Sequence, residues 1–279
     1  MGPTDKEIKD AVKEKYGGLA RGQSSSCCGP SKSCGCSTGS NMVDAAKLYA
    51  GEDLSGIPSE AAGFSLGCGN PLALAGIKEG ETVLDLGSGG GLDCFLAAKK
   101  VGPAGKVIGL DMTPEMVKLA RKNAQKMKAA NVEFRLGEME HMPVDDASVD
   151  LIISNCVINL SPDKDTVFKE TFRVLRPGGR LSISDMVWLA PLPEAVKSSL
   201  DEWAGCVAGA LQETEYLDKI KAAGFADVSS QRSTFDVGEA AEGVEIGGMK
   251  ASDLAKSIAS VRVQAVKPRR RTHRPDSGF

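Results

Sequence analysis

The chain has 279 residues, of which 42% are hydrophobic and 25% charged, a composition typical of a globular protein with one large domain and appendages. It holds no run of about 18 apolar residues and no apolar stretch near its start. We therefore expect neither a membrane span nor a signal peptide, and a cytoplasmic protein without a membrane partner. The formal net charge is −3. The last thirteen residues, with five bases and one acid, contribute +4, so the rest of the chain has a net charge near −7. This negative charge argues against a nucleic-acid partner.

The first predicted element is an amphipathic helix over residues 4–16. Thr4 and Glu7 have the spacing of a capping box, and apolar side chains recur at every fourth position. Gly17 and Gly18 are expected to end this helix.

The eight cysteines require an explanation, because they are too few for a disulfide scaffold. In a reducing cytoplasm, thiols usually serve metal binding, redox chemistry or catalysis. Only two histidines accompany them, so a ligand cluster would be rich in thiolates. Four of the cysteines lie in segment 22–40, which consists mainly of Ser, Gly and Cys and is expected to form a mobile arm. The eight are Cys27, Cys28, Cys34, Cys36, Cys68, Cys94, Cys156 and Cys206.

From Glu81 onward, short apolar runs alternate with helical segments. The predicted strands are 82–86, 106–110, 132–136, 149–154, 180–184, 226–231 and 258–266. The predicted helices are 92–101, 114–129, 163–175, 193–210 and 214–223. This alternation predicts an α/β fold with a mostly parallel sheet covered by helices on both faces. The insertion 233–252 gives no readable pattern.

A glycine-rich turn joins the first predicted strand to the following helix. Gly87, Gly89 and Gly91 allow a sharp turn and let a ligand contact the backbone. A dinucleotide fingerprint would need glycine at position 92, where this chain has leucine. Asp111 ends the next strand, where a carboxylate can accept two ribose hydroxyls. Together these residues predict an adenosine-containing ligand.

Three further cysteines are expected near that turn. Cys68 precedes the first strand in a glycine-rich loop, and Cys156 follows the fourth strand, at the rim where open α/β sheets bind ligands. Cys206 falls in a segment that could cap the cleft. Each alone could be a small buried hydrophobe, as we expect for Cys94, but together the three indicate a soft, thiophilic site. Zinc would suit such thiolates, although no Cys-x-x-Cys pair is present here.

The run Asp85-Leu-Gly-Ser-Gly resembles the first motif of the class I S-adenosylmethionine-dependent methyltransferases. Residues 137–143 resemble the adenine segment of that superfamily, and 168–179 its approach to strand five. The resemblance covers roughly residues 64–231 and implies a Rossmann-like domain with a seven-stranded, mostly parallel sheet. It implies that Asp85 and Gly87 contact the methionine part of S-adenosylmethionine, that Asp111 contacts the ribose, and that Glu138 and Met139 contact the adenine. Three further residues are expected to contact the cofactor: Gly89, Met112 and Asn155.

Four stretches around the cysteines resemble one family of this superfamily, the arsenite S-adenosylmethionine methyltransferases. These stretches are 25–30, 66–71, 153–162 and 205–207. The resemblance implies that Cys68, Cys156 and Cys206 bind trivalent arsenic, and that an N-terminal cysteine takes part in redox turnover, for which Cys27 and Cys28 are our candidates. It implies arsenite and methylarsenite as substrates and thioredoxin or glutathione as the thiol reductant. We expect a monomer.

The chemistry of arsenic agrees with this assignment. Trivalent arsenic binds three thiolates as a pyramid and keeps a lone pair that can attack a sulfonium methyl in line, so no general base is required.

We expect a helix and cysteine-rich arm over 1–56, the cofactor-binding domain over 57–190, cap helices and final strands over 191–266, and a disordered basic tail over 267–279.

Two alternatives stay open. A quinone-type carbon or oxygen methyltransferase would keep its activity when Cys156 and Cys206 are replaced by serine. A non-catalytic thiolate protein that sequesters a metalloid or zinc would bind its ligand without affinity for S-adenosylmethionine.

Overall fold

The computed structural model describes residues 2–22, 49, 51–62, 69–191, 208–234, 245–246, 249–250 and 256–269. Its helices are α1 (Asp5–Ala20), α2 (Ser59–Ala62), α3 (Leu72–Ala75), α4 (Leu92–Val101), α5 (Pro114–Met127), α6 (Lys164–Val174) and α7 (Glu213–Ala222), with a 3-10 turn at Ile158–Leu160. Its strands are β1 (Thr82–Leu86), β2 (Lys106–Asp111), β3 (Val132–Leu136), β4 (Val149–Asn155), β5 (Leu175–Trp188), β6 (Ala226–Thr234), β7 (Glu245–Ile246), β8 (Met249–Lys250) and β9 (Ile258–Val266).

Seven of these strands form one sheet in the order β3-β2-β1-β4-β5-β9-β6. Strands β1 to β5 pair in parallel, and β9 lies antiparallel between β5 and β6. The central strands are apolar on both faces, as buried parallel strands require: Val83, Leu84 and Leu86 of β1 are fully buried. Apolar clusters cover the two faces of the sheet. The predicted α/β architecture is confirmed.

The N-terminal helix begins as predicted but ends later. The capping box between Thr4 and Glu7 is present. The helix does not stop at Gly17 and Gly18, however, and continues to Ala20. This last turn packs on α5, where the Arg21 guanidinium pairs with Glu115. Tertiary packing thus outweighs the low helix propensity of the two glycines.

Strand β5 is longer than the predicted strand 180–184. It starts at Leu175, which the sequence placed in a helix, and it includes the predicted turn at 176–179. The extension to Trp188 follows from pairing with distant residues, because β9 pairs with β5 continuously from Arg180 to Trp188. At its start, Leu175 pairs with Val149 of β4, and the register shifts before Arg180.

Two predicted segments fall largely outside the described residues. Most of the predicted helix 193–210 does so, and its described end, 208–210, is not helical. In the insertion 233–252 the described residues include the two-stranded hairpin of β7 and β8. The cysteine-rich arm and the tail beyond residue 269 are outside the described part of the chain. No helix among the described residues is long and apolar enough to cross a membrane.

Candidate active site

The glycine turn between β1 and α4 adopts the conformation that its composition predicts. Gly87 has φ +67° and Gly89 has φ +50°, both in the left-handed region. A Cβ atom on Gly87 would also collide with the Val157 side chain. The Gly89 N–H donates a hydrogen bond to Asp111 Oδ2 at 2.9 Å, which ties the turn to the end of β2. The turn and Asp111 therefore form one unit.

This unit forms one wall of a cleft of about 890 Å³, including its open mouth. The sequence assigns eight residues to the cofactor, and six of these residues line the cleft. They are Gly87, Gly89, Asp111, Met112, Met139 and Asn155. Cys156, predicted to bind the substrate, lines the same cleft.

The residues of the cleft fit an adenosyl ligand. Asp111 accepts one hydrogen bond on each carboxylate oxygen, from the N–H groups of Thr113 and Gly89, both at 2.9 Å. Each oxygen retains acceptor capacity for a ribose hydroxyl. Burial raises the pKa of Asp111, while the backbone N–H groups oppose the rise. Two other polar atoms of cleft-lining residues, Ser88 Oγ and Asn155 Oδ1, are buried without a partner among the described residues. A polar ligand would satisfy such atoms.

Asp85 does not line the cleft. It lies beneath the glycine turn, 3% exposed, and accepts a hydrogen bond from the Cys94 thiol, with Sγ and Oδ2 3.2 Å apart. Burial and the nearby Asp93 carboxylate raise the pKa of Asp85 well above its usual value. Cys94 is free and fully buried, which confirms its predicted place in the core. Contact between Asp85 and the methionine part of the cofactor stays a prediction.

Glu138 is likewise held away from the cleft wall. Its carboxylate pairs with Lys9 at 2.8 Å and with Lys13 at 2.9 Å, and these two ammonium groups lower its pKa to about 2. Its assignment to the adenine stays a prediction, whereas the adjacent Met139 does line the cleft.

Helix α1 covers part of the cleft, which the sequence did not predict. Val12 and Tyr16 line the cleft, and Val12 packs with Cys156 and Leu160 in one apolar cluster. Lys9 adds an ion pair to the buried Glu140 at 3.0 Å. The one sequence signal was a pair of lysines four residues apart, which place their ammonium groups on one helix face.

Cys156 follows β4 in a strained conformation. Its φ is +59°, in the left-handed region that residues other than glycine rarely adopt, and its N–H donates to the Ser184 carbonyl of β5 at 2.8 Å. Such strain concentrates at functional sites. The side chain is 6% exposed and is disulfide-bonded.

The other predicted thiols are Cys27, Cys28, Cys68 and Cys206, and all four lie outside the described residues. Within the described part of the chain no group of three or more His, Cys, Asp and Glu side chains could hold a metal ion. The three-thiolate site therefore stays a prediction.

Sequence reasoning missed a buried hydrogen-bond network beside the cleft. The Tyr49 hydroxyl lies 2.8 and 2.9 Å from the two carboxylate oxygens of Asp93. Asn155 Nδ2 donates to Tyr49 Oη at 2.9 Å and to the Gly69 carbonyl at 2.8 Å. Burial raises the pKa of Asp93 to about 6, although the hydrogen bond from Tyr49 opposes the rise. Tyr49 is far from its partners in sequence, so no local pattern could have revealed the network.

Comparison with known proteins identifies the family. Residues 77–224 match a model described as a methyltransferase domain. The chain is 45% identical over 273 residues to the arsenite methyltransferase of Halobacterium salinarum, covering 95% of this chain and 68% of that protein. It is 39% identical over 181 residues to the arsenite methyltransferase of Aquipseudomonas alcaligenes, covering 62% of this chain and 52% of that protein.

A solved structure agrees with these relatives. The crystal structure of an arsenic(III) S-adenosylmethionine methyltransferase from Chlamydomonas reinhardtii matches with a TM-score of 0.62 and 35% identity, over 76% of this chain and 71% of that one. The chain spans about half to two thirds of the length of the two curated relatives. The matched methyltransferase domain contains the glycine turn, Asp111 and Cys156, all of which line the cleft. Because the chain is 45% identical to an arsenite methyltransferase over nearly its whole length, it belongs to the arsenite methyltransferase family.

Proposed function

We propose that this chain transfers the methyl group of S-adenosylmethionine to trivalent arsenic held by thiolates, and so converts arsenite, and then methylarsenite, to methylated products. The observation that carries the proposal is that Cys156 lines the same cleft as Gly87 and Asp111. Transfer of a methyl group needs the nucleophile within near-attack distance of the donor. A thiolate ligand in the wall of the cofactor cleft supplies that proximity.

Cys68 and Cys206 complete the proposed arsenic site. Support for Cys68 comes from its covalent neighbour Gly69, since consecutive Cα atoms are about 3.8 Å apart. The Gly69 carbonyl is hydrogen-bonded to Asn155, the residue before Cys156. A Cβ atom on Gly69 would collide with Ser184 Oγ of β5, so glycine permits this close approach of the loop to the sheet.

The chain's role in the reaction is to hold arsenic with its lone pair facing the methyl group. When bound, S-adenosylmethionine supplies an electrophilic methyl group on a cationic sulfur. The arsenic–carbon bond forms with the arsenic lone pair as the methyl–sulfur bond breaks, and arsenic passes formally from the trivalent to the pentavalent state. No proton moves in this step, so the thiolates need no general base.

A second step returns arsenic to the trivalent state. Two thiolates give up two electrons to arsenic and become a disulfide, which we assign to Cys27 or Cys28 with one of the arsenic-binding cysteines. Thioredoxin or glutathione then reduces that disulfide by thiol exchange. The Cys156 sulfur is disulfide-bonded, so the same reductants must return it to a thiolate before it can bind arsenic. A cytoplasmic monomer with access to these reductants fits the proposal.

The test incubates the protein with arsenite, S-adenosylmethionine and thiols and separates the arsenic species by chromatography with elemental detection. We expect methylated arsenic from the wild type and a loss of at least about 100-fold in rate for Cys156→Ser, since a hydroxyl is a poor ligand for a soft metalloid. Cys94→Ser is the matched control. It keeps a donor to Asp85, and we expect near wild-type rates.

Two outcomes would contradict the proposal. Absence of methylated arsenic while S-adenosylmethionine still binds would exclude arsenite as the substrate. Full activity of Cys156→Ser on a quinone-type acceptor would instead support a carbon or oxygen methyltransferase.

A further inference from the structure

The hydrogen-bond network at Tyr49 joins two parts of the site that the fold otherwise keeps apart. At one end, Asp93 stands at the N-terminus of α4 and lines the cofactor cleft. At the other end, Gly69 begins the described segment that leads into α3 and is bonded to Cys68. Tyr49 and Asn155 lie between them.

The direction of each hydrogen bond in this network follows from the donors available. Asn155 Nδ2 has two N–H groups, and both are used, one on Tyr49 Oη and one on the Gly69 carbonyl. Because Tyr49 Oη accepts from Asn155, its own proton points to the Asp93 carboxylate. Tyr49 is 1% exposed, so water does not compete for these bonds.

We infer that Tyr49 is a positioning residue. Its hydroxyl joins Asp93, on the cofactor side of the cleft, to Asn155, which holds the Gly69 carbonyl. Because Gly69 is bonded to Cys68, this network fixes the proposed arsenic-binding loop relative to the methyl donor. The Tyr49 hydroxyl does not touch the reacting atoms. Asp93 and Asn155 belong to a regular helix and strand, whereas Gly69 lies in a loop, so loss of the hydroxyl loosens the loop rather than the sheet. The catalytic half of this inference rests on the proposed function, and the restraint of Gly69 does not.

The experiment compares Tyr49→Phe with Tyr216→Phe. Tyr216 is also fully buried, and its hydroxyl bonds to the buried Asp185 carboxylate at 3.1 Å, so Tyr216→Phe removes an equivalent hydroxyl outside the network. For Tyr49→Phe we expect the KM for arsenite to rise about tenfold, while the Kd for S-adenosylhomocysteine, from calorimetry, changes less than about threefold. Tyr216→Phe is expected to keep the wild-type KM for arsenite.

A second measurement does not depend on activity. Hydrogen–deuterium exchange of the amides over residues 69–76 is expected to be faster in Tyr49→Phe than in the wild type and unchanged in Tyr216→Phe. If Tyr49→Phe does not fold, Asn155→Leu, which removes both donors, is expected to show the same faster exchange. Unchanged exchange over 69–76 would overturn the inference. Faster exchange in a protein that makes no methylated arsenic would overturn the proposed function and leave the restraint standing.

Discussion

At Gly87, both backbone conformation and available space require glycine. Its φ of +67° strains any other residue, and an added Cβ would collide with Val157. Gly89 has a similar φ of +50°, but nothing lies within 4 Å of the position of its Cβ. A substitution at Gly89 therefore introduces backbone strain alone, whereas a substitution at Gly87 adds a collision with Val157.

We expect Gly87→Ala to lower the free energy of unfolding of the cofactor-free protein by about 2–4 kcal/mol. Gly89→Ala is expected to lower it by about 1 kcal/mol, because that substitution introduces backbone strain without a collision. Denaturant unfolding followed by circular dichroism measures both. Equal losses in the two variants would show that Val157 moves aside without cost.

At the scale of single residues, the sequence predicted those residues of the cleft wall whose position depends on the local backbone. Gly87, Gly89 and Asp111 were found because a strand, a tight turn and a helix leave a local pattern. The surroundings of Glu138 could not be found in this way. Its carboxylate is bound by two lysines more than a hundred residues earlier, and only the folded chain brings them together.

At the scale of elements, helix α1 is held over the cleft by charge as well as by apolar contact. Lys9 and Lys13 bind Glu138, and Lys9 also reaches Glu140, which is 6% exposed. Val12, on the same helix, packs beside Cys156. Release of the helix would therefore open the cofactor cleft and uncover Cys156 together.

We expect Lys9→Ala with Lys13→Ala to weaken binding of S-adenosylhomocysteine by about three- to tenfold at low salt, because ion pairs near the surface are individually weak but act here on one helix. The difference from the wild type should shrink as salt is raised from about 0.05 to 0.5 M. Calorimetric titration at each salt concentration measures it. The control is Lys6→Ala with Lys15→Ala, which removes the same charge from exposed positions of the same helix. Equal weakening in the control would point to net charge rather than to the ion pairs.

Elements with a local signal were predicted closely, β9 at 258–266 among them, while the extension of β5 was not predicted. Strands β1 and β3 have the predicted bounds, because short apolar runs are flanked by turns. The extension of β5 to Trp188 depends on nine residue pairs with β9, whose partners lie at least seventy positions away. The run Arg-Pro-Gly-Gly at 176–179 keeps its turn character inside β5, because the register with β4 shifts between Leu175 and Arg180 and Gly178 has a φ of +85°.

At the scale of the whole molecule, strand β9 completes the sheet from the far end of the chain. It pairs with β5 on one side and with β6 on the other, so it is an interior strand with no free edge. Ile258, Ala259, Val261, Val263 and Ala265 are buried along it. Beyond it, Lys267 donates to the carbonyls of Phe172 and Leu175 at the end of α6.

We therefore expect a chain cut after residue 256 to lose cooperative thermal unfolding, because β5 would gain an unpaired edge and β6, at the end of the sheet, would lose the strand with which it pairs. A chain cut after Arg269 keeps β9 and the Lys267 contacts, and we expect its melting temperature within about 2 °C of the full chain, since surface changes away from such features cost little. Calorimetry on the two truncated chains and the full protein tests both expectations. A cooperative transition in the shorter chain would show that the sheet is stable without β9. A large loss in the longer one would assign residues 270–279 a stabilising contact with the body.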